Sequence, residues 1–153
     1  PRLRHLQGQT CKPALAHGDL HFNMSHSNAT AVLILSRHGE VGIDIEMDDR
    51  RVDFAALSEA CFLPHEIAAL NAVGGKARSS RFFALWTAKE ARMKLTGEGM
   101  SLEPKSIYLA LEDGMPVACL APENPAVRFY YSAVAGQNTQ CCYAITESHP
   151  CQA

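Results

Sequence analysis

Three carboxylates have a spacing that could do chemistry. In Gly42-Ile43-Asp44-Ile45-Glu46, apolar and acidic residues alternate, which is the period of a strand whose successive side chains point to opposite faces. Ile43 and Ile45 share a face suited to a core. Asp44 and Glu46 share the other, where two anions side by side repel unless something positive lies between them. The third carboxylate is Glu90, within the stretch Phe82 to Gly97, FFALWTAKEARMKLTG. At about 100° per residue, Phe82, Phe83, Trp86 and Met93 fall on one helical stripe. Glu90 lies inside that stripe, with Lys89 and Lys94 on its two borders. An unpaired carboxylate on such a face is costly or stays protonated. Two explanations stand at this level. One is an intrahelical pair with Lys94, four residues on and in the favourable order. The other is a metal-binding or catalytic role. Hard oxygen donors with no neighbouring His or Cys suit Mg2+ better than zinc, although an Asp-x-Glu pair alone also fits a solvated strand face.

Cations and hydroxyls that could meet an anion lie on both sides of this set. His21 to Ser25 is short and fits a strand end, and the segment His21-Phe22-Asn23-Met24-Ser25-His26-Ser27 as a whole reads as a polar turn ahead of a buried strand. Ser25, Ser27, His26 and local backbone N–H groups could grip a phosphate, or the Ser and Asn side chains could satisfy the turn itself. Lys12, Lys89 and Lys94 are further cations that could approach phosphates, and each is also compatible with a plain surface lysine.

The elements that must position these residues follow from pattern. Residues 1–20 are turn-rich, with Gly8, Pro13 and Gly18, and read as irregular structure. Ala29 to Ser36 is a near-continuous apolar run, fitting a buried strand, and with the strand from Val41 to Glu46 it suggests a hairpin across Arg37–Glu40. Val52 to Phe62 has helical spacing, and Pro64 opens a second helix to about Val73. Gly74-Gly75 breaks the pattern, so the long helix is expected to start near Ser79 or Ser80, either of which can cap it. Beyond Gly99, the segments 107–111, 117–120, 127–134 and 141–146 read as antiparallel strands. Strands, then helices, then strands make an α+β domain with helices on one face of an antiparallel sheet.

Composition excludes several classes. The 153 residues suffice for one domain with a real core. With 47% apolar and 20% charged residues, the chain is not a disordered one. A net charge of -2 gives no electrostatic case for nucleic acid or an anionic membrane as partner. No apolar run is long enough to span a bilayer, and no signal-peptide pattern opens the chain. The six cysteines, Cys11, Cys61, Cys119, Cys141, Cys142 and Cys151, have no repeated spacing and read as reduced thiols of a cytoplasmic protein. The histidines form no zinc pattern. The start at Pro1, without Met, reads as the interior of a longer protein.

Taken together, HFNMSHS, then VGIDIE, then FFALWTAKEARMKLTGEG resembles the Sfp-type 4′-phosphopantetheinyl transferases, with three motifs in the family's order between about Lys12 and Gly99. Lys12-Pro13 resembles a further Gly-Lys-Pro element, with Cys11 in the place of the glycine. The resemblance implies transfer of the 4′-phosphopantetheine arm of coenzyme A to a serine of an acyl or peptidyl carrier protein of polyketide, nonribosomal peptide or fatty-acid synthesis, with release of 3′,5′-ADP. It implies Mg2+ held by Asp44, Glu46 and Glu90, with Glu90 also the general base. It assigns Ser25 and His26 to the 3′-phosphate end of coenzyme A, Lys89 and Lys94 to the pyrophosphate, and Lys12 to the nucleotide phosphates.

Such enzymes have two similar lobes with coenzyme A between them. By this resemblance, residues 1–41 are the end of a first lobe and residues 42–153 a complete second lobe. The expectation is a monomer when both lobes are present, and self-association of a chain of only these residues. The shorter synthase-like branch has one lobe per chain and forms trimers, but the HFNMSHS segment before GIDIE favours the two-lobed branch. The alternative from another class is a non-catalytic module that binds carrier protein or nucleotide, which has no need of three carboxylates around a metal.

Overall fold

The computed structural model of the chain describes residues 3–4, 12–15, 20–47, 52–119, 127–132 and 139–146. Two short strands, β1 (Leu3–Arg4) and β2 (Ala14–Leu15), pair antiparallel inside the stretch expected to be irregular. The HFNMSHS segment is not a turn, and the strand end expected over His21–Ser25 runs on through it. It is a full strand, β3 (His21–Ser27), that pairs with β4 (Thr30–Ser36) around a turn where Asn28 takes a φ of 52°. Asn is among the few non-glycine residues that tolerate this left-handed region.

The expected hairpin between the 29–36 and 41–46 runs does not form. The strand carrying Asp44, β5 (Val41–Met47), pairs instead with the last strand, β9 (Thr139–Thr146). Between them come β6 (Leu109–Glu112), β7 (Met115–Cys119) and β8 (Val127–Ser132), giving one antiparallel sheet in the order β5-β9-β8-β7-β6. Nor is β4 a buried strand. Its side chains alternate, with Val32 and Ile34 packed towards Ile43, Ile45, Cys141 and Tyr143, while Leu33 and Leu35 are 60% and 57% exposed.

Among the described residues, three α-helices link β5 to β6. The first, α1 (Phe54–Cys61), is capped by Asp53, whose carboxylate accepts the N–H of Ala55 and Ala56, and α2 (Pro64–Asn71) starts on its proline. The long helix α3 (Gly75–Thr96) begins four or five residues before the serines expected to cap it, with Gly74 at its N-cap, and ends at Gly97 in the left-handed region with φ 78°. Its buried face, including Phe82, Leu85, Ala88 and Met93, packs with Phe62 and Leu70 against Leu109, Val127, Phe129, Cys142 and Ala144 of the sheet. The helices thus cover one sheet face, as the α+β pattern predicts. Among the described residues, Cys61, Cys119, Cys141 and Cys142 are free thiols. No described helix is long and apolar enough to cross a membrane.

The site depends on how close α3 comes to β5. An added Cβ on Gly42 would stand 2.1 Å from the carbonyl oxygen of Ala91 and 2.5 Å from the nitrogen of Leu95. Those are backbone atoms of the helix, which cannot swing aside as a side-chain tip would. Gly42→Ala should therefore push α3 from the strand and destabilise the fold by about 1–3 kcal/mol or more, the range for overpacking. Urea denaturation checks this, and an unchanged midpoint would show that helix and strand are not locked at Gly42. The other edge of β5 is covered by β3: the Ile43 N–H donates to Asn23 Oδ1 at 2.9 Å and the Met47 N–H to Ser27 Oγ at 3.2 Å. The lobe division expected between residues 41 and 42 falls within β5.

Candidate active site

Asp44, Glu46 and Glu90 do line one cleft, together with Met24, Ser25, His26, Trp86 and Lys94; its volume is about 440 Å³. Strand β5 contributes Asp44 and Glu46 through its period of two. Helix α3 contributes Trp86, Glu90 and Lys94 through residues four apart, and β3 closes the third side. Asp44 is 4% exposed. Burial pushes its carboxyl above the usual aspartate range, against the pull of the Lys94 ammonium and the Ser25 hydroxyl. Burial likewise raises Glu46 and Glu90, and the charge of Asp44 raises both further.

The internal bonds of the cleft differ from the expected ones. Lys94 does not turn to Glu90, four residues back on its own helix. Its Nζ lies 2.6 Å from Asp44 Oδ1 and donates to Ser25 Oγ at 2.8 Å. Ser25 in turn donates to Asp44 Oδ1 at 2.8 Å, and Ser27 donates to Glu46 Oε2 at 3.2 Å. Trp86, read from sequence as a core residue, lies at the cleft, where its indole opposes the upward push of burial on the Glu46 carboxyl. The available signal was its position one turn before Glu90 on the same stripe. His26 is exposed at the cleft.

Two expected phosphate ligands are not brought here. Lys89 is 1% exposed and points to the opposite side of α3, where its Nζ lies 2.9 Å from the Glu66 carboxylate and donates to the carbonyls of Pro104 and Ile107 at 2.8 and 2.9 Å. The physical reason is the helix itself: one residue from Glu90 is about 100° of rotation, enough to turn Lys89 from the cleft to the core beneath α2. Lys12 donates to the Glu40 carboxylate and to the carbonyls of Val41 and Leu95, both at 2.8 Å, so it clamps the end of α3 to the start of β5.

The three carboxylates also stop short of a formed metal site. Among the described residues, no group of three His, Cys, Asp or Glu side chains is close enough to share an ion. Even so, the donor set suits a hard cation. All its atoms are carboxylate oxygens, and Asp44 Oδ2 is buried with no hydrogen-bond partner, a costly state for an anion's oxygen unless a cation meets it.

The family model described as the 4′-phosphopantetheinyl transferase superfamily matches residues 40–146. The chain belongs to this superfamily. That match takes in β5, all three helices and the strands behind them, and so covers Asp44, Glu46, Glu90 and Lys94. Among relatives of this superfamily, the 4′-phosphopantetheinyl transferase AcpT of Salmonella typhi is 41% identical over 112 residues, covering 72% of this chain and 58% of that protein. The 4′-phosphopantetheinyl transferase of Bacillus subtilis is 31% identical over 144 residues, covering 94% of this chain and 61% of that protein. The chain therefore spans about half the length of the curated relatives it matches, from 42% to 61%. In fold it resembles a holo-(acyl-carrier-protein) synthase of Bacillus anthracis solved in complex with CoA (3′,5′-ADP). The TM-score is 0.60 at 20% identity, covering 72% of this chain and 96% of that one.

Proposed function

We propose that the protein transfers the 4′-phosphopantetheine arm of coenzyme A to a serine of an acyl or peptidyl carrier protein, in a Mg2+-dependent reaction that releases 3′,5′-ADP. The observation that carries this reading is the cleft: in a chain of the transferase superfamily, α3 and β5 bring Asp44, Glu46, Glu90 and Lys94 to one small cavity. In this reaction the serine oxygen bonds to the pantetheine-bearing phosphorus of the coenzyme A pyrophosphate. The bond from that phosphorus to the bridging oxygen breaks, and 3′,5′-ADP leaves with that oxygen and its electron pair. Coenzyme A as co-substrate is supported by the ligand named for the Bacillus anthracis relative. The same reading makes residues 42–153 the second lobe of a two-lobed enzyme, and places the protein in the cytoplasm.

Phosphoryl-type transfer needs positioning and charge neutralisation more than covalent help. Asp44, Glu46 and Glu90 would hold Mg2+, which when bound neutralises charge on the pyrophosphate. Glu90 takes the serine proton, a task suited to a carboxylate whose burial raises its basicity. Lys94 supplies an ammonium to the pyrophosphate oxygens. His26, exposed at the cleft, is assigned with Ser25 to the 3′-phosphate end of coenzyme A.

Incubation with coenzyme A, Mg2+ and apo carrier proteins tests the reading. The carrier should gain the mass of one phosphopantetheine arm, and a carrier whose acceptor serine is replaced by alanine should gain nothing. No mass gain on any of a set of acyl and peptidyl carriers would overturn transferase function and leave a binding module.

A further inference from the structure

The cleft already holds a cation of its own. Lys94 Nζ sits 2.6 Å from Asp44 Oδ1 while the other oxygen of that carboxylate, Oδ2, is buried without a partner. The lysine is anchored a second time on Ser25 Oγ at 2.8 Å, and Ser25 on Asp44 at 2.8 Å, so ammonium, hydroxyl and carboxylate form a closed triangle linking α3, β3 and β5. The carboxylates of Glu46 and Glu90 line the same cavity without converging with Asp44 on a common point.

We infer that Lys94 is the resident counter-ion of Asp44, and that a divalent cation and the Lys94 ammonium compete for this one carboxylate. The inference rests on the reading of the cleft as a metal-dependent transferase site and adds a sequence of events to it. Asp44 is too buried to stand alone as an anion, so without metal the lysine keeps strand and helix together. A divalent ion on Asp44 and the ammonium now 2.6 Å from Asp44 Oδ1 would repel across one nearly buried carboxylate. Lys94 therefore leaves Oδ1 as the ion arrives. It remains on the same wall of the cleft and is then free to meet an anion. Metal binding thus releases the ammonium that binds phosphate, and the two ligands favour each other.

Trp86 reports on this directly, being the only tryptophan of the chain and a lining residue of the cleft. The experiment titrates the protein with Mg2+, and separately with Mn2+, without coenzyme A. It follows tryptophan fluorescence and, for Mn2+, the electron-spin resonance of the free ion. Lys94→Met should bind either ion at least about 5-fold more tightly than the wild type, the lower end of ordinary coupling between sites. Lys94→Arg, which keeps the charge, should not gain affinity. Equal or weaker binding by Lys94→Met overturns the inference and leaves the transferase reading intact. A wild type that binds neither ion overturns both the inference and the metal-dependent part of that reading. Should Lys94→Met fail to fold, nitrogen-15 resonances of the wild-type lysine ammonium groups decide. The Lys94 signal should shift as Mg2+ is added, and a signal that stays in place through saturation overturns the competition.

Discussion

Replacing Lys89 with methionine should cost about 3–5 kcal/mol of stability, the range for stripping one partner from a buried ion pair. Lys89 and Glu66 are 1% and 0% exposed and 2.9 Å apart. The lysine spends its other donors on the carbonyls of Pro104 and Ile107. Glu66 accepts the N–H of Leu63 at 2.8 Å and of Leu109 at 3.4 Å. One pair thus ties together α2, α3, the turn at Pro104–Ser106 and the start of β6. Methionine fills much of the volume of the lysine stem but leaves the Glu66 charge and two carbonyls without their donor. Urea denaturation measures the loss. Glu66→Gln added to Lys89→Met should recover part of it, because no unpaired charge then remains in the core. A loss below about 1 kcal/mol, the level of an exposed pair, would mean that the bond network does not hold these elements.

The same residue shows where sequence reading stops. The periodicity of FFALWTAKEARMKL located the helix and put Glu90 on its inner face, because burial of a stripe repeats every turn. It could not place Lys89, because the partner is Glu66, on a separate helix 23 positions earlier, and no local pattern joins the two. The strand of Asp44 was legible from its alternation, whereas its pairing with β9, about a hundred residues on, was not. Strand β3 was legible only as a short strand end, because its polarity is inverted. Asn23, Ser25 and Ser27 face β5, where they satisfy backbone N–H groups and carboxylates, and Met24 and His26 face out. A polar strand that serves a site looks like a turn until the site is seen. Leu33 and Leu35 misled in the opposite sense, since they are apolar yet exposed. The early start of α3 was hidden by Gly74-Gly75 and by a first turn, Lys76-Ala77-Arg78, that is fully outside the core.

Glu90→Gln should lower kcat by at least about 10²-fold, as expected when a positioned proton acceptor is lost. Glutamine keeps the shape of the side chain, so the cleft should remain intact, but it cannot take a proton and ligates a divalent ion poorly. Stability should hold or rise, because burial and the charge of Asp44 already disfavour the ionised form of Glu90, and the substitution removes that charge. The sequence left open a second role, as the partner of Lys94; in the structure Lys94 bonds Asp44 instead and reaches Glu90 only through its charge. The two remaining functions of Glu90, base and ligand, separate kinetically. Loss of a ligand alone should be offset by raising Mg2+ or Mn2+ until the site fills, whereas loss of the base should leave kcat low at saturating metal. Turnover by Glu90→Gln equal to the wild type at limiting Mg2+ would exclude both roles and strip α3 of its part in the chemistry.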